Sequence, residues 1–347
     1  MIDRAWLVAL AGSALLFQVG HPTHAAPAIS TAGPPSSAAT CLLKGTTEPR
    51  ADTRIVDEKG RGLARLSGAA IALTLSDFPL DARGRARIET GDGTGSFHIQ
   101  GFIQASEVPL FAAAPIAVVP GHVWLDVGAT LQFAAGARGR LRVEHRNAAA
   151  FNQTFAAWAP CRALSISPTP STPVAAPSTA RHYQFKKSSL ELFDRPSGTA
   201  LLQLQRGNDV DAVRFLSIER QRDWLLITHQ GDVGFEAWAR EKDLAVATGT
   251  SHAAHQAPRA TPRNSARITL EGEPRTIQTI NKAPLRAQPK ETDAAIGYIE
   301  PGTETYVLEI AAEWASVIPK SLNVVPAPTA QFWVKTSDLG LREHGNE

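Results

Sequence analysis

Two dipeptides in this chain place a carboxylate directly before an indole, Asp223-Trp224 and Glu313-Trp314. Each opens a run that reads as a β-strand, so each indole sits at a strand start beside a loop. The chemistry such a pair supports is binding: a partly exposed aromatic and an adjacent acid contact a ligand without making or breaking its bonds. Trp224 and Trp314 are therefore the candidate ligand-binding residues, and packing beneath a loop is the competing role. Tyr298 and Tyr306 are weaker candidates of the same kind.

Bond-making chemistry finds no comparable residues. Thr90 to Ser96 (TGDGTGS) is glycine-rich, but it lies between two strand-like runs, and a phosphate-cradling loop needs a helix behind it. A hairpin loop is the expected structure there. His252 and His255 stand in a proline-bearing stretch without a third ligand, which argues against a zinc site. His98, His122, His145 and His229 each stand alone. No serine occupies a nucleophile-elbow pattern. The expectation is a non-enzymatic chain with no catalytic residues, no cofactor and no metal.

The chain has 347 residues and a formal net charge of +2, with basic residues scattered among acidic ones. No continuous electropositive run is visible, which argues against a dedicated nucleic-acid binder. Residues 1–25 read as a secretory signal peptide: Arg4, an apolar stretch from Ala5 to Phe17 and small residues at Thr23 and Ala25. The apolar stretch is short for a bilayer span, so the expectation is an exported, periplasmic or extracellular protein with no membrane span after cleavage. The two cysteines, Cys41 and Cys161, are an even number in an oxidising compartment, and a disulfide between them is the natural reading. Lipid attachment at Cys41 would require an apolar run directly upstream, and Ser36 to Thr40 does not supply one.

The elements that must position these residues are strands. Short alternating runs such as Arg140-Leu-Arg-Val-Glu and Thr305-Tyr-Val-Leu-Glu-Ile are bounded by Gly, Pro and Asp, and no segment holds a helical apolar face over twelve residues. The fold class is all-β. Residues 165–180 and 246–266 are proline-bearing linkers, and 26–53 is a low-complexity segment and lead-in. The folded parts run 54–164, 181–245 and 267–342.

An internal repeat joins these parts. Leu190 and Leu285, Gly207 and Gly302, Trp238 and Trp333, and Leu244 and Leu339 each stand 95 apart. Weaker copies lie upstream, where Trp158 precedes Leu164 and Phe102 precedes Val108 by the same six residues that separate Trp238 from Leu244. Four units follow, about 54–108, 108–164, 181–245 and 267–342, the first two forming a tandem pair whose entrance and exit Cys41 and Cys161 would clasp.

The pattern resembles bacterial SH3-like (SH3b) domains. The third unit matches at Leu192, Pro196, Gly207, Trp224, Trp238, Asp243 and Leu244. The fourth matches at Leu285, Pro289, Gly302, Val307, Trp314, Trp333, Val334, Asp338 and Leu339. The first two units depart from it, with Arg87 or Leu141 near the place of the central-strand tryptophan and Phe102 in place of the closing one. The resemblance implies tandem small SH3-like barrels joined by Pro-rich linkers, with Trp238, Trp333 and Leu339 in their cores. It also implies recognition of peptidoglycan or another envelope component, a cell-wall polymer or envelope protein being the partner. The alternative is a periplasmic protein–protein interaction scaffold.

Overall fold

A computed structural model describes residues 41–78, 84–91, 96–137, 140–170, 181–209, 213–247 and 274–341. The expected signal peptide and the His252/His255 pair lie outside the described residues. Every regular element is a β-strand or a short 3₁₀ turn, so the protein is all-β. Among the described residues no helix is long and apolar enough to cross a membrane.

One arrangement recurs four times. Three antiparallel strands form a meander, and a 3₁₀ turn follows the third. The sets are Ile71–Phe78, Arg85–Gly91 and Phe97–Gln104 with the turn Ala105–Glu107; then Thr130–Ala137, Arg140–Arg146 and Thr154–Pro160 with Cys161–Ala163. Phe215–Gln221, Trp224–His229 and Val233–Arg240 precede Glu241–Asp243. Glu304–Ala311, Trp314–Pro319 and Trp333–Lys335 precede Thr336–Leu339. Alternation puts the apolar members of these strands inside: Leu141 and Val143 are buried while Arg140 and Arg142 are exposed. Each 3₁₀ turn delivers an apolar residue into the core, and Val108, Leu164, Leu244 and Leu339 are all buried.

The backbone ladders do not stop at the unit boundaries drawn from the sequence. In the fourth unit, Ala295–Ile299 pairs with Phe97–Gln104 of the first through Gly297↔Ile99, Tyr298↔His98 and Ile299↔Phe97. The first unit returns the exchange, Gly62–Leu66 pairing with Val324–Pro326. The second and third units are joined in the same reciprocal way. Val123–Leu125 pairs with Val233–Arg240, and Phe151 bridges Arg206. The sheets are thus shared across units, and none closes on itself as separate small barrels would require. Small β-units bury little core each and present unpaired strand edges, and edge-to-edge pairing satisfies those backbone groups.

The disulfide forms as expected, with the Cα atoms of Cys41 and Cys161 5.4 Å apart. It fastens the strand Cys41–Thr47, which precedes the first unit and pairs with its Ile71–Phe78, to the closing turn of the second. The start of the expected linker is ordered too: Leu164–Ser165 is a strand, and Ile166 is fully buried. The Gly-rich run Thr90 to Ser96 connects two paired strands as a hairpin does, although its tip, 92–95, lies outside the described residues.

Candidate functional site

Both candidate indoles sit at equivalent places. The third unit's hairpin turns through Arg222 and Asp223 between the paired Gln221 and Trp224. The fourth turns through Ala312 and Glu313 between Ala311 and Trp314. Arg222 and Ala312 both take left-handed backbone, at φ 55° and 52°, as tight two-residue hairpins require. The carbonyl oxygens of Asp223 and Glu313 then accept the first N–H of the closing 3₁₀ turn, from Glu241 and Thr336, each at 2.9 Å. In both units the acid's backbone is structural, and it holds the indole against the closing strand. A cation faces each ring across the ladder, Trp224 opposite Arg240 and Trp314 opposite Lys335.

The two sites differ in what covers the ring. Trp224 is half-buried. Phe193 meets it edge-on with centroids 5.0 Å apart. The Arg240 guanidinium lies 5.5 Å from the Trp224 centroid and 5.4 Å from that of Phe193. Arg220 pairs with Glu241 at 2.7 Å, and Lys187 with Asp243 at 2.7 Å, so the acids of the adjoining 3₁₀ turn are held by other cations. A half-buried amphipathic ring with an arginine beside it is the candidate contact surface. Trp314, by contrast, is only 5% exposed. Its cation Lys335, 6.0 Å from the ring centroid, is hydrogen-bonded to Glu291, and that bond, helped by the carboxylate's charge, holds the ammonium above its ordinary range. Lys335 in turn pulls the Glu291 carboxyl below its own. Trp314 is therefore a core ring, and the symmetrical pair of binding tryptophans expected from the sequence reduces to Trp224.

The expected core tryptophans diverge in the same sense. Trp333 is 6% exposed, but Trp238, 95 residues earlier, is half-buried. In the first two units the ladder aligns Arg85 and Arg140, not Arg87 and Leu141, with the Trp224 position, because they face Gln104 and Pro160 just before the 3₁₀ turns. Arg85 is buried. It lies 4.7 Å from the Phe102 ring and donates to the carbonyls of Asp57 (2.9 Å) and Glu58 (3.2 Å). A guanidinium of the chain itself thus occupies the place of the indole in the first unit.

Of the two tyrosine candidates, Tyr306 sits mid-ladder between Thr276 and Ile318, and Tyr298 has a different set of partners. Tyr298 stacks on His98 at 4.3 Å between centroids, reaches Glu89 Oε1 at 3.3 Å and lies under Lys282 Nζ at 3.7 Å. Burial, reinforced by Glu89, raises its phenol. Tyr298 belongs to the seam between the first and fourth units. His145 and His229 are buried, each with Nδ1 beside a backbone carbonyl fifteen residues upstream, Thr130 O at 2.8 Å and Arg214 O at 2.9 Å. Among the described residues no cluster of His, Cys, Asp and Glu could hold a metal ion. Two clefts, of about 520 Å³ beside Thr303 and Lys320 and about 470 Å³ beside Glu107 and Phe133, include neither Trp224 nor Trp314.

The fold and site together define an all-β protein of shared, repeated sheets whose candidate contact is an aromatic–arginine surface. No protein-family model matches the chain. No curated protein sequence matches it either. A solved structure, that of NlpC2 from Trichomonas vaginalis, aligns at 6% identity with a TM-score of 0.17. The alignment covers 50% of this chain and 52% of that one, so the chain spans about half the length of that neighbour. A likeness so slight carries no argument about fold or function.

Proposed function

We propose that this is an exported, non-enzymatic binding protein built from SH3-like repeats that recognises peptidoglycan or another cell-envelope component. The observation that carries the reading is the half-buried Trp224 with Arg240 and Phe193 around it, at the place where the equivalent Trp314 is sealed into the core. Such an indole gives a planar apolar face, and the guanidinium beside it suits a carboxylate of a peptide stem or sugar. The Cys41–Cys161 bond supports export, since structural disulfides persist in oxidising compartments. Sedimentation of the protein with purified sacculi tests the proposal. Co-sedimentation abolished by muramidase digestion of the wall, and weakened in a Trp224→Ala protein, is the expected result. A protein that stays in the supernatant refutes wall recognition.

A second reading, a periplasmic scaffold for partner proteins, has one observation in its favour. Ile218 and Leu308 occupy the same bulge of equivalent strands, and both are exposed, at 48% and 45%. Apolar side chains repeated at one exposed position suit a protein partner. Sacculi distinguish the two, because a scaffold does not sediment with wall polymer stripped of protein.

A further inference from the structure

We infer that the outer sheet face of the second unit, around Trp158, is a second binding surface, for an acidic polysaccharide bearing carboxylates on its sugar rings. This goes beyond the Trp224 reading, in another unit and on other residues. The starting point is the comparison of four equivalent rings. Phe102, Trp238 and Trp333 are each bridged by a residue of a strand that precedes the unit's meander, namely Val56, Phe193 and Arg286. The counterpart strand in the second unit, Ile116–Val119, lies alongside Thr154–Pro160, but among the described residues no ladder bridge reaches Trp158, and its strand forms a ladder only with Arg140–Arg146. Trp158 is 45% exposed, the most exposed of the four.

What surrounds the ring gives the chemistry of its partner. Alternation along Arg140–Arg146 turns Arg140, Arg142, Glu144 and Arg146 to the outer face. Arg142 faces Trp158 directly across the ladder, Arg140 faces Pro160 and Arg146 faces Thr154. On its other side Arg142 meets Ala135, so no acid lies opposite it. All three arginines are exposed, and none has an ion pair among the described residues; Glu144 is the single acid on this stretch of strand. Residues two apart on a strand stand about 7 Å from each other. The face is therefore a shallow strip of guanidiniums beside one flat indole, without a cavity that would enclose a small molecule.

A linear polyuronate meets those demands. The C–H face of a pyranose covers an indole, and ring carboxylates accept the paired N–H bonds of arginine. The two connecting segments between the folded parts offer no acidic stretch to lie there: 248–273 carries three arginines against two glutamates, and 171–180 has no charge. A protein partner lacks the repeated flat C–H faces. Single-stranded nucleic acid, which also stacks on tryptophan, is the rival that the experiment must separate.

The test is titration of the full chain with sodium polygalacturonate, neutral dextran and single-stranded oligothymidylate, with melting followed in parallel. The expected result is salt-sensitive binding of polygalacturonate, none of dextran and much weaker binding of the oligonucleotide. Trp158→Ala should weaken polygalacturonate binding by about 30-fold or more, as truncation of an anchoring tryptophan does. Arg142→Gln should weaken it by roughly tenfold. Should Trp158→Ala melt early, the exposed Arg142 substitution decides alone. Absence of polygalacturonate binding, variants that bind like the parent, or equal affinity for the oligonucleotide would each overturn the inference. A chain that ignores sacculi yet binds polygalacturonate refutes the Trp224 proposal and leaves this one standing.

Discussion

Replacing Trp224 and Trp314 separately by Ala should give two different phenotypes from one sequence motif. Trp314 is 5% exposed, and truncating a buried ring costs about 3–5 kcal/mol. Burial of 150–250 Å² per aromatic at about 25 cal/mol per Å² gives roughly 4–6 kcal/mol as an upper bound, the same range. Trp224 is half-buried and loses less. Its edge-on contact with Phe193 contributes about 0.5–1.5 kcal/mol and the nearby Arg240 about 0.5–1 kcal/mol, together about 1–2.5 kcal/mol. At roughly 2–4 °C per kcal/mol for a body of this size, Trp314→Ala should lower the melting temperature by about 10 °C and Trp224→Ala by only a few degrees. Calorimetry measures both, and sacculus sedimentation measures affinity alongside. Trp224→Ala should lose about 2 kcal/mol or more of binding, roughly 30-fold, while remaining folded. The reasoning fails if Trp224→Ala melts as early as Trp314→Ala, because the half-buried ring would then be core. It also fails if Trp224→Ala stays folded and binds like the parent.

Three further perturbations follow from the geometry. Cys41→Ala with Cys161→Ala opens a loop of 120 residues, and the chain-entropy relation gives a loss of about 4–5 kcal/mol; urea denaturation of oxidised parent and double variant measures it, and a difference below about 1 kcal/mol would show that the first two units need no clasp. Gly297→Ala would drive a Cβ into the His98 carbonyl oxygen in the ladder between the fourth and first units, so fast amide exchange along Ala295–Ile299 and a lower melting temperature are expected, and unchanged exchange counts against the shared sheet. Burial holds the Asp338 carboxyl above its ordinary range, with Lys335 offsetting part of the effect; the folded state then binds protons more tightly than the unfolded one, and stability falls as pH rises from 3.8 through the folded pKa. Asp338→Asn should therefore be more stable than the parent at pH 7 and lose that advantage below pH 3.8, and an equal advantage at both pH values would contradict the assignment.

What was legible in the sequence is what one strand or one turn decides by itself. The residue six places after each closing aromatic is buried in every unit, at Val108, Leu164, Leu244 and Leu339, because a 3₁₀ turn of three or four residues carries it into the core whatever the neighbouring sequence is. The all-β class and the cysteine pair were legible for the same local reasons, alternation in one case and parity in the other. Burial of the aromatics was not, since it depends on what another segment lays over them. Trp224 and Trp314 share their hairpin, their backbone acceptor and their facing cation, yet one is open and the other closed.

The edges were illegible for a deeper reason. Backbone N–H and C=O groups are the same in every residue but proline, so sequence says little about which strand edge will pair with which. One trace existed. Trp224 and Trp314 stand 90 apart while Trp238 and Trp333 stand 95 apart, so the fourth unit holds five extra residues between its second and third strands. Those residues fall where the third unit has one continuous strand, Val233–Arg240, and the fourth has two pieces, Val324–Pro326 and Trp333–Lys335. The detached piece is the one that pairs with Gly62–Leu66 of the first unit. An insertion that reads as loop variation is thus the strand that couples the ends of the chain. The arginines beside Trp158 were hidden in the same manner. Along the sequence they are interrupted by Leu141, Val143 and Glu144, and no basic run appears. Alternation removes the leucine and the valine to the core, and what remains on the surface is three guanidiniums, one carboxylate and an uncovered indole across the ladder. A strand can therefore carry a charged binding strip that composition and charge runs do not register. The test for one is to read every second residue and ask what the facing strand sets beside it.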